Sequence, residues 1–248
     1  VSDLHWITPD WPAPENVRAA STLRTGGVSS GAYASLNLGS HVGDDPALVR
    51  ENRARLRRAL ELPGEPLWLN QVHGSIVVDA TSHVADDRPP TGDASISFAA
   101  GQVCAILTAD CLPVLLCDRE GTRIAAVHCG WRGLASGVLS ATVAALQTSA
   151  ARLIAWLGPA IEPDAFEVGP EVRDQFIRSH PDTAVAFAEN ARGRWQANLE
   201  ELARIELRRL GVASIHGGGY RCHADRERFF SYRRDGQTGR MATMVWRQ

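Results

Sequence analysis

Two histidines and one cysteine stand where a β-sheet would offer side chains to a pocket. His73 lies in Asn70-Gln71-Val72-His73-Gly74, Cys111 in Thr108-Ala109-Asp110-Cys111-Leu112-Pro113, and His128 in Val127-His128-Cys129-Gly130-Trp131-Arg132-Gly133. Each follows an apolar run and precedes Gly or Pro within two residues. Strand ends beside tight turns are where a rigid scaffold presents functional groups. Two imidazoles and a thiolate suit Zn²⁺, with a fourth position left for water or substrate. The separations of 38 and 17 residues are not those of a zinc finger, so the ligand types carry this reading. Taken singly, each residue has a plainer explanation: free Cys is among the most buried residue types, and a strand-end His is commonly just hydrogen-bonded. The same side chains also fit a thiol hydrolase, with Cys111 as nucleophile and His128 as its base. A third reading is a non-catalytic zinc protein that recognises a partner.

Further polar features surround these three. The turn from His128 to Gly133 runs into a helix, and free N–H groups there, with Arg132 beside them, suit an anion. Asp110 or Asp93 could orient a ligand imidazole or carry a proton. The glycine-dense stretch from Arg24 to Gly31, with Ser29, followed by Ser35-Leu36-Asn37-Leu38-Gly39, suggests a loop that approaches a ligand closely. Tyr232 to Arg240 reads as a polar turn, either a second lip of the pocket or a hairpin. Cys104 and Cys117 sit inside apolar runs and read as core. Cys129 adjoins His128 and stays open between core and site. His5, His83, His180 and His216 read as surface residues, and Cys222-His223 is a rival metal pair.

Composition removes several classes of function. All 26 basic residues are arginine, so chemistry that needs a lysine amine is excluded: Schiff bases, pyridoxal-phosphate anchoring and a P-loop. Eight histidines without a His-x-His pair are too few and too scattered for a clustered multicopper centre. Five cysteines, four of them between Cys104 and Cys129, read as reduced thiols of a cytoplasmic protein. A net charge of −2 gives no sign of a nucleic-acid or membrane-surface protein. No apolar run reaches a membrane span, and no signal-peptide pattern opens the sequence.

The elements that must position these groups follow from periodicity. Asp44-Asp45-Pro46 caps a helix over Ala47 to Leu62, with an arginine-rich outer face. Leu67 to Leu69 and Ile76 to Val78 read as strands, and Ala94 to Phe98 as a half-buried one. Val103 to Thr108, Val114 to Cys117 and Ile124 to His128 read as buried central strands. Leu134 to Leu146 and Leu199 to Leu210 have helical spacing, as does Glu171 to Ser179. Leu153 to Leu157 and Met241 to Trp246 are strands. This mixture predicts an α/β (α+β) class, a mixed β-sheet sandwiched by helices. No linker divides the 248 residues, so one domain over 1–248 is expected.

Across these segments the sequence resembles the laccase-domain family of bacterial purine nucleoside phosphorylases, formerly called polyphenol oxidases, which includes YfiH and YlmD proteins. The motifs that carry the likeness are Arg24 to Gly31, Ser35 to Gly43, Asn70 to Gly74, Gly92-Asp93-Ala94, Leu107 to Pro113, Ala126 to Gly133, Leu157-Gly158-Pro159-Ala160-Ile161 and Ser231 to Gly239. They run in order over nearly the whole chain, departing from the family at Cys129, where a small residue is usual. The resemblance implies the YfiH-like fold and Zn²⁺ held by His73, Cys111 and His128, with copper as second choice. It implies phosphorolysis of adenosine, inosine and methylthioadenosine, and adenosine deamination, in the cytoplasm by a monomer or homodimer. Cys111, His128, Arg132 and Asp110 are then the catalytic candidates, and Arg24, Ser29, Asn37 and Gln71 the substrate-binding ones. Purine nucleosides and phosphate are the expected partners. The alternative within the same likeness is editing of peptidoglycan precursors, removing L-Ser from UDP-MurNAc-L-Ser by a cysteine or zinc hydrolase. The older polyphenol oxidase label fits the histidine content poorly.

Overall fold

The computed structural model describes residues 4–82 and 88–248; His83 lies outside them. The strands are β1 (Trp6–Ile7), β2 (Val17–Thr22), β3 (Val77–Asp79), β4 (Ala94–Ser97), β5 (Val103–Thr108), β6 (Leu112–Asp118), β7 (Ile124–Cys129), β8 (Leu153–Leu157), β9 (Glu167–Val168), β10 (Phe187–Glu189), β11 (Trp195–Ala197), β12 (Ser214–Gly217) and β13 (Met241–Arg247). The α-helices are α1 (Pro46–Ala59), α2 (Trp131–Ala135), α3 (Val138–Ala145), α4 (Pro170–Ser179), α5 (Leu199–Arg209) and α6 (Tyr232–Asp235).

Alternation along the central strands sorts side chains into layers, because successive residues of a strand face opposite sides. On β5, Val103, Ala105 and Leu107 pack with Leu56 and Leu62 around α1, whereas Cys104 and Ile106 meet Leu115, Cys117, Ile124 and Trp156 of a second sheet. On that sheet, Val114, Leu116, Ala125 and Val127 turn the other way, toward Leu139, Val143, Leu202 and Leu207 of α3 and α5. The order is therefore helix, sheet, sheet, helices. The expected class holds, and the sheet placed between helices is in fact a stacked pair. One sheet is antiparallel, in the order β1-β2-β13-β5; the other is mixed, in the order β12-β8-β6-β7-β4-β3. A small third sheet, β10-β11-β9, lies outside this pair.

Local chemistry explains several boundaries. The Asp45 side chain accepts from the Ala47 amide at 2.7 Å and Pro46 opens α1, a capped start of the kind the sequence predicts. The single helix expected over Leu134 to Leu146 is instead α2 and α3. Gly137, at φ +80°, breaks it in a left-handed conformation that glycine adopts without steric cost. Strand β4 was expected to be half-buried, yet all four residues are buried, because it is covered on both faces. The strand expected at Leu67 to Leu69 shrinks to one bridge between Leu67 and Cys104.

Strand register gathers the candidate ligands. Pro113 pairs with His128 across β6 and β7, which puts Cys111 at the end of β6 beside His128. Ala94 pairs with Val127 across β4 and β7, which puts Asp93 beside the same histidine.

Candidate metal centre and its cleft

The three residues read from the sequence as ligands do meet. One ring nitrogen of His73, the Cys111 sulfur and one ring nitrogen of His128 all lie within 4.8 Å of one another. Cys111 Sγ is 3.8 Å from His73 Nε2. Donors bound tetrahedrally at about 2.0–2.3 Å would be roughly 3.4–3.8 Å apart, so the group is of a size to hold a metal ion. Among the described residues it is the one such cluster of His, Cys, Asp and Glu donors. Cys222 and His223 do not form another: Cys222 is in the core, and His223 Nδ1 stands 4.0 Å from Glu162 Oε1, with no cluster of three donors at that position.

Asp93 organises the centre. It is fully buried, and its Oδ1 accepts from His128 Nδ1 at 2.9 Å and from the His73 amide at 2.8 Å. Its Oδ2 accepts from the Gly74 amide at 2.7 Å and the Val72 amide at 3.2 Å. These bonds hold His73 at φ +60°, a left-handed conformation uncommon outside glycine. They also turn His128 so that Nε2 is left for a metal, the carboxylate–histidine arrangement found behind metal ligands. Burial pushes the Asp93 carboxyl up, but the His128 ring and the Gly74 and His73 amides outweigh it and hold it below the usual carboxylate range. Burial likewise opposes the Cys111 thiolate, yet His128 and His73 bring the thiol down to about 6. Gly130 makes room: a Cβ there would stand 2.9 Å from His73 Cδ2 and 3.1 Å from Cys111 Sγ.

The donors open on a cleft of about 540 Å³ whose wall includes His41, Gln71, Asp110, Trp131, Arg132, Phe166, Tyr232, Arg233 and Arg240. Arg132 stacks on Trp131, with its guanidinium carbon 4.5 Å from the ring centroid. Arg233 lies over Phe166 at 5.2 Å. Arg240 anchors one nitrogen to the Thr238 and Gly239 carbonyls at 2.9 and 3.0 Å. Asp110, at φ +95°, accepts from the Arg233 amide through Oδ2 at 2.6 Å, with the Ser231 side chain also favouring its charged form. Burial raises the Asp110 carboxyl despite that amide. The arrangement can hold an anion against guanidinium groups beside a triangle of donors that could hold a metal ion.

Of the residues read as substrate-binding, Gln71 is at the cleft, with its side-chain amide doubly bonded to the Leu107 backbone at 2.8 Å each. Arg24, Ser29 and Asn37 are not on the cleft wall. Arg24 donates through Nε and Nη2 to the Ala34 carbonyl, Ser29 donates to Asp44 at 2.6 Å, and Asn37, fully buried, binds Asp44 and Gly39. These three stabilise the glycine-rich loop from within. The Tyr232 to Arg240 turn does form a lip, part of it the short helix α6. Arg233 and Arg240 come to the cleft with that turn, while His41 is a cleft residue not singled out from the sequence. Cys104, Cys117 and Cys129 are all core. His5 is exposed, and His180 and His216 are half-buried.

Sheets, centre and cleft together describe a laccase-domain fold with a group of side chains able to hold a metal ion. The family model for "Multi-copper polyphenol oxidoreductase laccase" matches residues 18–248, and the chain belongs to that family. It is 54% identical over 244 residues to a purine nucleoside phosphorylase of Pseudomonas aeruginosa, covering 98% of each chain. It is 49% identical over 240 residues to the purine nucleoside phosphorylase YfiH of Escherichia coli, covering 97% of this chain and 98% of that one. The crystal structure of Neisseria meningitidis protein NMB0706 superposes with a TM-score of 0.94 at 50% identity, covering 98% and 99%. That of YlmD from Geobacillus stearothermophilus does so at 0.90 and 30%, covering 98% and 96%. No helix among the described residues is long and apolar enough to cross a membrane.

Proposed function

We infer that the chain is a zinc-dependent purine nucleoside phosphorylase acting on adenosine, inosine and methylthioadenosine, with adenosine deaminase activity. The observation that carries this reading is the His73–Cys111–His128 triangle opening into a cleft walled by Arg132, Arg233 and Arg240, in a chain whose relatives bear the phosphorylase name. Two imidazoles and a thiolate fit Zn²⁺. Bound there, the ion supplies Lewis acidity to whatever donor completes its coordination.

The chain's own groups have the following work. The guanidinium groups hold phosphate by charge-assisted hydrogen bonds. An oxygen of that phosphate forms a bond to the anomeric carbon as the bond from that carbon to the purine breaks, and the base leaves with a proton. We assign that proton transfer to the Asp110 carboxyl, which burial raises and which borders the cleft. Tyr232, which is 61% exposed at the cleft, offers an aromatic face for the base. In deamination, water adds at purine C6 and ammonia leaves, in the same cleft.

Metal content and turnover of adenosine with phosphate test this reading together in Cys111→Ala and His128→Ala. Both variants should lose metal and activity; full activity in either would remove it. A second reading, a cysteine hydrolase that edits a peptidoglycan precursor, rests on the same Cys111 thiol lowered toward thiolate by its histidines. Chelation separates the two: a thiol hydrolase keeps its activity without metal and loses it to iodoacetamide.

A further inference from the structure

Away from the cleft, helix α1 carries a second concentration of positive charge. Arg50, Arg53 and Arg57 are spaced so that they share one helical face. With Arg58, Ala54, Leu62 and Glu65 they line a hollow of about 490 Å³, close in size to the cleft. Four arginines there face a single carboxylate. That carboxylate, on Glu65, already accepts from Trp68 Nε1 at 2.8 Å.

Ordinary helix electrostatics explain only part of this set. Arg57 and Arg58 lie in the last turn of α1, where a cation complements the helix dipole. Arg58 also reaches Glu51, the acid that Arg55 bonds at 2.8 Å. Arg50 is near the opposite end and gains nothing from the dipole. Neither the Arg50 nor the Arg57 side chain has a hydrogen bond or an ion pair among the described residues. Between them, Arg53 is already ordered. It donates through Nε and Nη2 to the Leu38 carbonyl at 3.0 and 2.8 Å, and its guanidinium lies 4.1 Å from the Trp68 ring centroid. Burial, only partly offset by Glu65, lowers its pKa to about 10. A fixed central guanidinium flanked by two unpartnered ones, in a hollow lined also by Ala54, is an arrangement that an extended chain of phosphate groups would neutralise.

We propose that this hollow binds an oligophosphate anion, through Arg50, Arg53 and Arg57. A free inorganic chain and the phosphate tail of a nucleotide share the chemistry that these residues recognise. The site lies on a helix face remote in sequence from the metal ligands and does not depend on the phosphorylase reading.

Calorimetric titration of the full chain with sodium tripolyphosphate, and separately with ATP, tests the proposal. Binding should weaken by about tenfold or more in Arg50→Ala/Arg57→Ala and weaken as salt rises. Adenosine phosphorolysis at saturating phosphate should be unchanged in that variant. The Arg50→Gln/Arg57→Gln pair, which keeps much of each side chain's length, should show the same loss, and the melting temperature of both variants reports folding. ATP binding much tighter than tripolyphosphate would identify a nucleotide; equal affinities would identify the phosphate chain itself. Absence of binding by both ligands at millimolar concentration would overturn the proposal, as would unchanged affinity in the folded variants. Arginine-dependent capture of duplex DNA in preference to either ligand would also overturn it, by making the face a nucleic-acid surface.

Discussion

The Asp93 carboxylate receives the His128 ring at 2.9 Å on the same oxygen that receives the His73 amide at 2.8 Å. One buried acid thus governs both histidines, one by its ring and the other by its backbone. Replacing it by asparagine leaves one oxygen to accept and turns an amide NH₂ toward donors. For Asp93→Asn we expect metal affinity to fall by about 10–100-fold, the range for a lost outer partner of a ligand. Competition with a chromogenic chelator measures it. Affinity equal to the parent chain would show that Asp93 does not orient the ligands.

Gly130 gives a steric test of the same centre. Its φ of −70° is open to any residue, so alanine there brings no backbone strain, only a methyl against His73 and Cys111. Gly130→Ala should therefore lower metal affinity while changing the melting temperature of the metal-free chain little. Equal losses in both would mean that the methyl disturbs the fold rather than the donors.

Arg132 is exposed, and its guanidinium contacts protein through the Trp131 ring. Its removal should leave stability within about 0.5 kcal/mol. A hydrogen bond to a charged group is worth about 1.5–3 kcal/mol. If Arg132 holds phosphate, Arg132→Met should raise the KM for phosphate by roughly 10–100-fold at little change in the KM for nucleoside. Steady-state kinetics with each substrate varied in turn would expose a failure.

Asp118 allows a pH prediction away from the metal centre. It is buried at the end of β6, and burial raises its pKa, but the Thr122 side chain and the Arg123 and Thr122 amides outweigh that and hold it below the usual value. A depressed carboxyl contributes stability above its unfolded pKa of about 3.9 and loses it as pH falls through the folded pKa. The parent chain should therefore lose stability with acid more steeply than Asp118→Asn. Urea unfolding at pH 7 and at about pH 2.5, below the unfolded pKa, would show the gap between them narrowing; a constant gap would assign the cost of the substitution to geometry rather than charge.

Much of the centre was legible because its residues stand at the ends of apolar runs. The strands read over Val103 to Thr108 and Leu153 to Leu157 keep those limits in the structure, since each is a continuous buried run between turn residues. His41, by contrast, lies in Gly39-Ser40-His41-Val42-Gly43, where no periodicity marks a direction. The same lack of period makes Arg24, Ser29 and Asn37 look available to a ligand. Their partners, Ala34, Asp44 and Asn52, come into reach only when the loop closes onto α1. The stacking of two sheets was hidden for a related reason: a strand buried on both faces has the same composition whether a helix or another sheet covers it.

The donor triangle lies at the end of β6, on β7 and on the turn before β3, whereas the cleft residue Thr108 ends β5 and Arg240 directly precedes β13, both of the antiparallel sheet. The mouth of the cleft therefore straddles the seam where the two sheets are pressed together by Ile106, Leu115, Ile124 and Trp156. Trimming one of these side chains lets one slab settle against the other. The gap that a substrate must fill would change in width, and the shift would reach His73 through Gln71, which is bonded to Leu107 of the antiparallel sheet.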